Sequence, residues 1–352
     1  MLQQPKYKYL ADIIRQAIAD ELYAPGDRIE TENELAVRHN MSRQTVRQAL
    51  DVLSAEGLIV RRRGSGTFVQ QVKRLEGRCM RVGVITTYIT EYIFPSILRG
   101  MEAELSACGY AMELSATGNR VDAERRILLE YLKKPVDGLI VEGTKTALPN
   151  PNLSIYSEFA SRNIPVVFIN GYYRDLDGCV YVVMDDERGG ADAARFLLNQ
   201  GHRAVGGVFK SDDMQGHERY AGFMRALTEA GEVVQDDAIV WFSTESRDAL
   251  TMGKGAEALL ESLSGCTGMV CYNDIVASRL LGAMSRMGIA MPEDMALASF
   301  DNSDYAGLDK NGIPSLGHAK ERLGRIAVQK ILRMIGGETE KPTVLPWKEM
   351  GR

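Results

Sequence analysis

The sequence predicts an α/β protein in two unequal parts, a small helical head closed by a β-hairpin and a larger, doubly wound body of two lobes. Three observations lead there. Residues 1–70 carry three apolar patterns of helical period, followed by two short runs around a Gly-Ser-Gly tip. From Arg81 onward, apolar runs such as VGVI, GLIV, VVFI, VGGVF, GMVCY and MALASF alternate with amphipathic stretches, the order of βα units whose parallel sheets are covered on both faces. That alternation occupies residues 80–352, more than one open sheet of ordinary size holds. Two similar lobes facing each other across a cleft are therefore expected, with the chain crossing between them at 173–188 and again at 302–318. The expected divisions are a head at 1–70, a short polar linker at 71–79 and the two-lobed body at 80–352.

In the head, Leu10, Ile13, Ile14, Ala17 and Ile18 recur at helical spacing within Tyr9 to Leu22, and Pro25-Gly26 ends that helix. Thr31 followed by Glu34 has the form of a capping box and opens a short helix to about Asn40, with Met41 making the turn. Ser42 caps a third helix in which Val46, Leu50 and Leu53 turn inward and leave Arg43 and Arg47 together on the solvent side. Two short helices joined by a tight turn form a helix-turn-helix. In such a motif the second helix enters the major groove, where arginine can take guanine and glutamine can take adenine with paired hydrogen bonds, or either can hold phosphate. Arg43, Gln44 and Arg47 occupy its first turns. The runs Leu58-Ile59-Val60 and Thr67-Phe68-Val69 bracket Arg61 to Gly66, a wing thin enough for a minor groove.

Charge distribution restricts the partners further. The chain carries −5 overall, yet residues 1–70 hold ten Lys/Arg against nine Asp/Glu, so the acidic excess lies in the body. Any positive field in the head is local, at Arg43, Arg47, Arg61, Arg62 and Arg63. A hydrophobic content of 45% with 25% charged residues is that of a globular protein. No apolar stretch reaches bilayer length and the N-terminus has no signal-peptide pattern, so a cytoplasmic location without membrane contact is expected. Five scattered cysteines with no CxxC spacing imply reduced, mostly buried thiols and no structural metal.

Ligands of doubly wound sheets bind at the carboxyl ends of strands, and in the body those positions are polar. Glu142 follows GLIV, Asn170 follows VVFI, and Asp185 follows YVVM. Lys210-Ser211-Asp212-Asp213 follows VGGVF and leads to Gln215 and Arg219; Asn273-Asp274 follows MVCY, and Asp301 follows ALASF. Carboxylates, amides and an arginine suit the vicinal hydroxyls of a neutral sugar, and Tyr92 or Phe94 can cover the apolar face of its ring. His217 and His318 fall in cleft loops. Enzyme chemistry finds no support: GxxxxGK[ST] is absent, the first body strand lacks GxGxxG, and no nucleophile elbow is present. No cofactor is expected.

The pieces PGDRIETENELA, SRQTVRQAL and LxxEGLIxRRxGxGTFV resemble the winged helix-turn-helix of the GntR family over residues 5–69. The resemblance implies DNA contacts from Arg43, Gln44 and Arg47, a wing of Arg63, Gly64, Ser65 and Gly66, and a contact from Glu32. Electrostatically, Glu32 can accept from cytosine N4, orient an arginine or simply cap its helix. In the body, QGHRAVGGVF, QGHERYAGF, CYNDIVASRLLGAMSRMGIAMPEDMALASFDN and LGRIAVQKIL resemble the periplasmic-binding-protein-like effector domain of LacI/GalR repressors. By that likeness Arg219, Asn273 and Asp301 match sugar-binding positions, Asn170 takes the place of another polar contact, and Glu142, Asp185, Lys210, Asp212, Gln215 and His318 join the candidate set with Tyr92 and Phe94. A GntR head on this body resembles the arabinose-responsive repressors of Gram-positive bacteria, which implies a homodimer on operator DNA that a pentose, L-arabinose, releases. A repressor answering to another sugar, and a sugar sensor that does not bind DNA, are the rival readings. The sequence departs from the family pattern at Asn302, at Ala319 and in the ending LPWKEMGR.

Overall fold

The computed structural model describes residues 5–351 apart from 20–21, 24–25, 56–57, 63–64, 70–77, 91, 135 and 308–311, with backbone alone at 19, 55, 62 and 351. The expected linker therefore lies almost entirely outside the described residues. The chain divides into two compact units, Met1–Arg78 and Cys79–Arg352.

The first unit runs α1 (Lys6–Ala19), β1 (Arg28–Ile29), α2 (Glu32–Arg38), α3 (Arg43–Ala55), β2 (Ile59–Arg62) and β3 (Gly66–Val69). Leu10, Ala11 and Ile14 of α1 meet Val46, Ala49, Leu50 and Leu53 of α3 in one core with Ile29, Leu35, Ile59 and Val69. The helix starts at Lys6, three residues before the sequence expectation, because the Pro5 carbonyl already accepts from the backbone N–H of Tyr9 (3.2 Å). Thr31 and Glu34 close a capping box on α2: Thr31 Oγ1 accepts from the Glu34 N–H (3.3 Å), and Glu34 Oε2 accepts from the Thr31 N–H (2.7 Å). Ser42 Oγ accepts from the Thr45 N–H (3.1 Å) at the start of α3. Asn40, at φ +50°, bends the chain between the two helices in place of Met41. An unforeseen strand, β1, pairs antiparallel with β3 and makes the wing sheet three-stranded, in the order β1-β3-β2. Two residues are too few for a period-2 pattern to register.

The second unit begins β4 (Arg81–Thr86), α4 (Phe94–Ala107), β5 (Ala111–Ala116), α5 (Val121–Tyr131), β6 (Gly138–Val141), α6 (Leu153–Ser161), β7 (Val166–Ile169) and β8 (Val180–Met184). It continues α7 (Asp186–Asn199), β9 (Val205–Lys210), α8 (Met214–Glu229), β10 (Ile239–Phe242), α9 (Arg247–Thr251), α10 (Gly253–Ser262), β11 (Gly268–Cys271), α11 (Asp274–Met287) and β12 (Ala296–Asp301). It ends β13 (Ser315–Gly317), α12 (Lys320–Ile335), β14 (Thr343–Leu345) and β15 (Lys348–Gly351). Two six-stranded sheets result, β14-β8-β7-β6-β4-β5 in the first lobe and β10-β9-β11-β12-β13-β15 in the second. Their strands pair in parallel except β15, which runs antiparallel to β13. Apolar side chains fill both faces of each sheet, which is why the strands read as unbroken apolar runs.

Within the described residues the chain passes between the lobes three times, not the two expected. The first passage, at Asp185, leads from β8 into α7; the second, at His318-Ala319, from β13 into α12; the third, at Pro346-Trp347, from β14 into β15. The last escaped the sequence reading because both of its strands are very short. Helices α7 and α8 interlock closely. A Cβ on Gly190 would stand 1.9 Å from the Arg219 carbonyl oxygen, and one on Gly222 1.7 Å from that of Glu187.

None of the five cysteines forms a disulfide. Cys266 and Cys271 are buried, Cys79 and Cys179 half-buried, and Cys108 is exposed. Among the described residues no helix is long and apolar enough to cross a membrane, and no cluster of His, Cys, Asp or Glu is arranged to hold a metal ion.

Candidate DNA-reading face and effector site

In the head, Arg43, Gln44, Arg47, Gln48 and Asp51 line a shallow concavity on the outer face of α3. Arg47 is held from behind. Its Nε and Nη2 donate to the two carboxylate oxygens of Glu32 (3.2 and 2.9 Å), and that hydrogen bonding holds the Glu32 carboxyl below its usual range. Of the three roles open to Glu32, orienting an arginine is the one its geometry fulfils. Arg61 reinforces the arrangement by donating Nη2 to the Arg47 carbonyl (3.1 Å) and pairing Nη1 with Asp51 (2.9 Å). Arg63 and Gly64 lie outside the described residues. Ser65 and Gly66 lead into β3, and Gly66 at φ +120° passes beneath the Arg28 guanidinium. Arg28 is a wing-side cation the sequence reading did not single out.

Between the lobes of the body, a cavity encloses about 860 Å³ of non-protein space, part of it open to solvent. Tyr92, Phe94, Glu142, Lys210, Gln215, Arg219, Asn273 and Asp301 line it. Glu142 is buried; its Oε2 accepts from the Thr87 N–H and hydroxyl (2.7 and 2.5 Å) and its Oε1 from Asn170 Nδ2 (2.9 Å). Burial pushes its carboxyl above the usual range despite those donors. Lys210 Nζ pairs with Asp213 (3.0 Å), whose Oδ2 also accepts from the Tyr272 hydroxyl (2.6 Å). Burial opposes the charge on Lys210, but Asp213 and Asp212 outweigh it and raise its pKa. Asn273 caps α11 by accepting from the Val276 N–H (3.1 Å), which leaves its amide N–H groups for the cavity. Tyr92 reaches across from the first lobe to the Asp301 carboxylate, while Asp301 Oδ1 is buried with no hydrogen-bond partner.

Arg219 is buried against Asp186, with Nε 2.8 Å from the carboxylate, and its Nη1 donates to the Tyr272 carbonyl (2.5 Å). Its guanidinium carbon lies 4.8, 4.4 and 5.1 Å from the ring centres of Tyr272, Phe300 and Trp347. Tyr92, Asn119, Asn170 and Asp301 all take positive φ at the cleft, the kind of strained backbone that gathers at ligand clamps.

Four candidates stand behind the cavity wall. Asn170 is buried and buttresses Glu142. Asp185 accepts from the Arg188 N–H as the N-cap of α7. Asp212 is buried behind the wall, where its Oδ2 accepts from the Thr244 N–H (3.0 Å) and its Oδ1 lies 3.4 Å from Lys210 Nζ, while its neighbour Asp213 lines the cavity. His318 is buried against Trp347, and burial lowers its pKa to about 4. Conversely, Thr87, Tyr88, Asn119, Phe242, Thr244, Arg247 and Tyr272 join the wall unannounced. Tyr272 had a signal, the last position of the MVCY run, that apolar patterning assigned to the strand. The lobes are bridged around this cavity by Asn119 Nδ2 to Thr244 Oγ1 (2.5 Å), Lys145 to Glu245 (2.5 Å) and Arg174 to Glu218 (3.1 Å).

A groove-reading winged head and a clefted, polar-lined body define a class, the DNA-binding regulators that sense a small molecule. The profile of the bacterial regulatory proteins of the gntR family matches residues 6–69, and that of the periplasmic binding protein-like domain matches residues 194–349. The chain is 36% identical over 340 residues to the arabinose metabolism transcriptional repressor of Halalkalibacterium halodurans, across 95% of this chain and 90% of that one. It is 36% identical over 333 residues to the arabinose metabolism transcriptional repressor of Geobacillus stearothermophilus, across 94% and 91%. The crystal structure of transcription regulator CcpA of Lactococcus lactis superposes with a TM-score of 0.68 at 27% identity, covering 77% of this chain and 97% of that one. The chain belongs to the family of GntR-headed transcriptional repressors that the two arabinose metabolism repressors represent.

Proposed function

We propose that this repressor binds operator DNA as a homodimer in the cytoplasm and is released by an uncharged pentose, L-arabinose, with no cofactor and no enzyme chemistry of its own. The observation that carries the reading is the charge balance of the cavity wall. Lys210, Arg219 and Arg247 stand against Glu142, Asp213 and Asp301, so a phosphorylated or acidic sugar meets no net counter-charge, whereas a neutral polyol meets donors and acceptors in equal supply. The unpartnered Asp301 Oδ1 calls for a hydroxyl donor, since a buried acceptor left unmade costs about 1–3 kcal/mol. Tyr88, Tyr92, Phe94, Phe242 and Tyr272 offer the apolar faces a sugar ring stacks on. The relatives named for arabinose metabolism make L-arabinose the pentose of choice. Sugar binding favours the bridged lobe pair, and a ligand can shift an equilibrium only by its difference in affinity for the two states.

Gel shift on operator duplex with increasing L-arabinose, D-xylose, D-ribose and D-galactose tests the reading. L-arabinose is expected to release the DNA at the lowest concentration. A shift that no sugar reverses sinks the effector assignment, and release by another sugar replaces L-arabinose. Arg47→Ala is expected to weaken operator binding about 10- to 100-fold, the worth of one base-reading arginine, while calorimetric sugar affinity stays at the parent value.

A further inference from the structure

The ending LPWKEMGR, where the sequence departs from the family pattern, contains the third passage between the lobes, and Trp347 sits in it. Its indole is a meeting point for all three passages within the described residues. It packs edge-on to His318 of the second passage (5.5 Å between ring centres) and to Phe300 of β12 (5.3 Å). It also lies over Gly189, in the first turn of α7 just after the first passage; a Cβ there would stand 2.6 Å from the indole nitrogen. The Arg219 guanidinium carbon lies 5.1 Å from the centre of the indole. Arg219 is tied to the first passage as well, through Asp186, the first residue of α7. With Nε and Nη1 committed to Asp186 and the Tyr272 carbonyl, Nη2 remains for a ligand.

We propose that Trp347 is a positioning residue for effector binding: it fixes the plane of the Arg219 guanidinium and ties that plane to the lobe-to-lobe passages. The proposal rests on the reading of Arg219 as an effector contact. Domain closure concentrates its backbone rotation in a few connecting residues. The Trp347 indole moves with those residues, and the guanidinium packed against it follows. A planar fork presents its donors in one direction only, so the orientation of Nη2 toward a sugar hydroxyl depends on the passages being in their bridged arrangement. The lack of a side chain at Gly189 is what leaves room there for the Nε1–Cδ1 edge of the indole.

The full chain carries two tryptophans, and Trp241 packs on Phe209, His217 and Tyr220 away from the cavity wall. Trp241→Phe labelled with 5-fluorotryptophan therefore gives one fluorine resonance, from Trp347. In sugar-free protein, Arg219→Gln and Gly189→Ala are each expected to shift that resonance, and an unmoved signal in both overturns the contact. Calorimetric titration with L-arabinose gives the functional half. Trp347→Leu and Gly189→Ala are expected to weaken binding about tenfold, the scale of one desolvated cation–π contact, and Trp347→Phe to recover affinity to within about threefold. Should Trp347→Leu fail to fold, the Phe and Gly189→Ala variants decide the matter. Parental affinity in Gly189→Ala and Trp347→Leu, or a Phe variant no better than Leu, overturns the proposal. If Arg219→Gln binds L-arabinose as the parent does, the reading of Arg219 as an effector contact falls instead.

Discussion

His318 shows how a single residue is governed by its surroundings rather than by its type. Lying 7% exposed, it keeps Nδ1 buried without a partner, and burial lowers its pKa from 6.5 to about 4, with Arg219 and Lys320 adding repulsion and Asp301 opposing it. A folded pKa below the unfolded one means that its contribution to stability is present above about pH 6.5 and is lost as pH falls towards 4. Over that window the loss is on the order of 2–3 kcal/mol. Asp186 and Asp274, which burial raises to about 7 and about 6, act with the opposite sign, so the comparison must be with a variant. Thermal melts between pH 7 and 4 are expected to show a shallower decline for His318→Gln than for the parent; parallel declines would remove His318 from the account. Arg219 makes the complementary point, because three aromatic rings and one carboxylate hold a cation that no single neighbour would keep in a buried site.

Among the elements, the α7–α8 pair is the most tightly built, and it delivers both Asp186 and Arg219 to the cleft. Its closeness rests on Gly190 and Gly222. Alanine is normally worth about 1 kcal/mol over glycine inside a helix, yet at 222 the added methyl would meet the Glu187 carbonyl at 1.7 Å. Gly222→Ala is therefore expected to destabilise the body by about 1–3 kcal/mol through overpacking, read as a lower urea midpoint at unchanged slope. A stabilised variant would mean that the helices can separate without cost. The regular elements were legible in the sequence because periodicity alone specifies an inward face: Val46, Leu50 and Leu53 on α3, or the apolar runs of β6 and β7. Thr31 and Glu34 were legible because their bonds are local. β1, β13, β14 and β15 were not, each having too few residues to establish a period or depending on a partner strand far along the chain.

For the whole molecule, the two units divide the labour electrostatically. Residues 1–70 carry +1 (ten Lys/Arg, nine Asp/Glu) and the rest of the chain −6 (32 and 38), so attraction to DNA depends on the few arginines of α3 and the wing rather than on bulk charge. Coupling between operator and effector is reciprocal by linkage. If L-arabinose weakens operator binding by some factor, operator DNA weakens L-arabinose binding by the same factor, on the order of 5- to 150-fold. Calorimetric titration of the sugar into free and operator-bound protein checks this, and unequal factors would mean that the sugar acts on something other than the two-state equilibrium.

By itself the sequence determined the two-part plan, the capped helix-turn-helix with Arg43 and Arg47 facing out, the doubly wound body, and the strand ends where a polar site had to lie. Tertiary structure alone decided which of those polar residues face the cavity: Asp213 rather than Asp212, Glu142 with Asn170 behind it, and Asp301 with an oxygen left over. It also decided that Glu32 holds Arg47 and that Trp347, in a passage without any pattern, lies against Arg219. The reason is physical. Helices and strands repeat, so a residue's direction follows from its neighbours in the chain, whereas loops and passages do not repeat, and their side chains take directions set by contacts from distant segments.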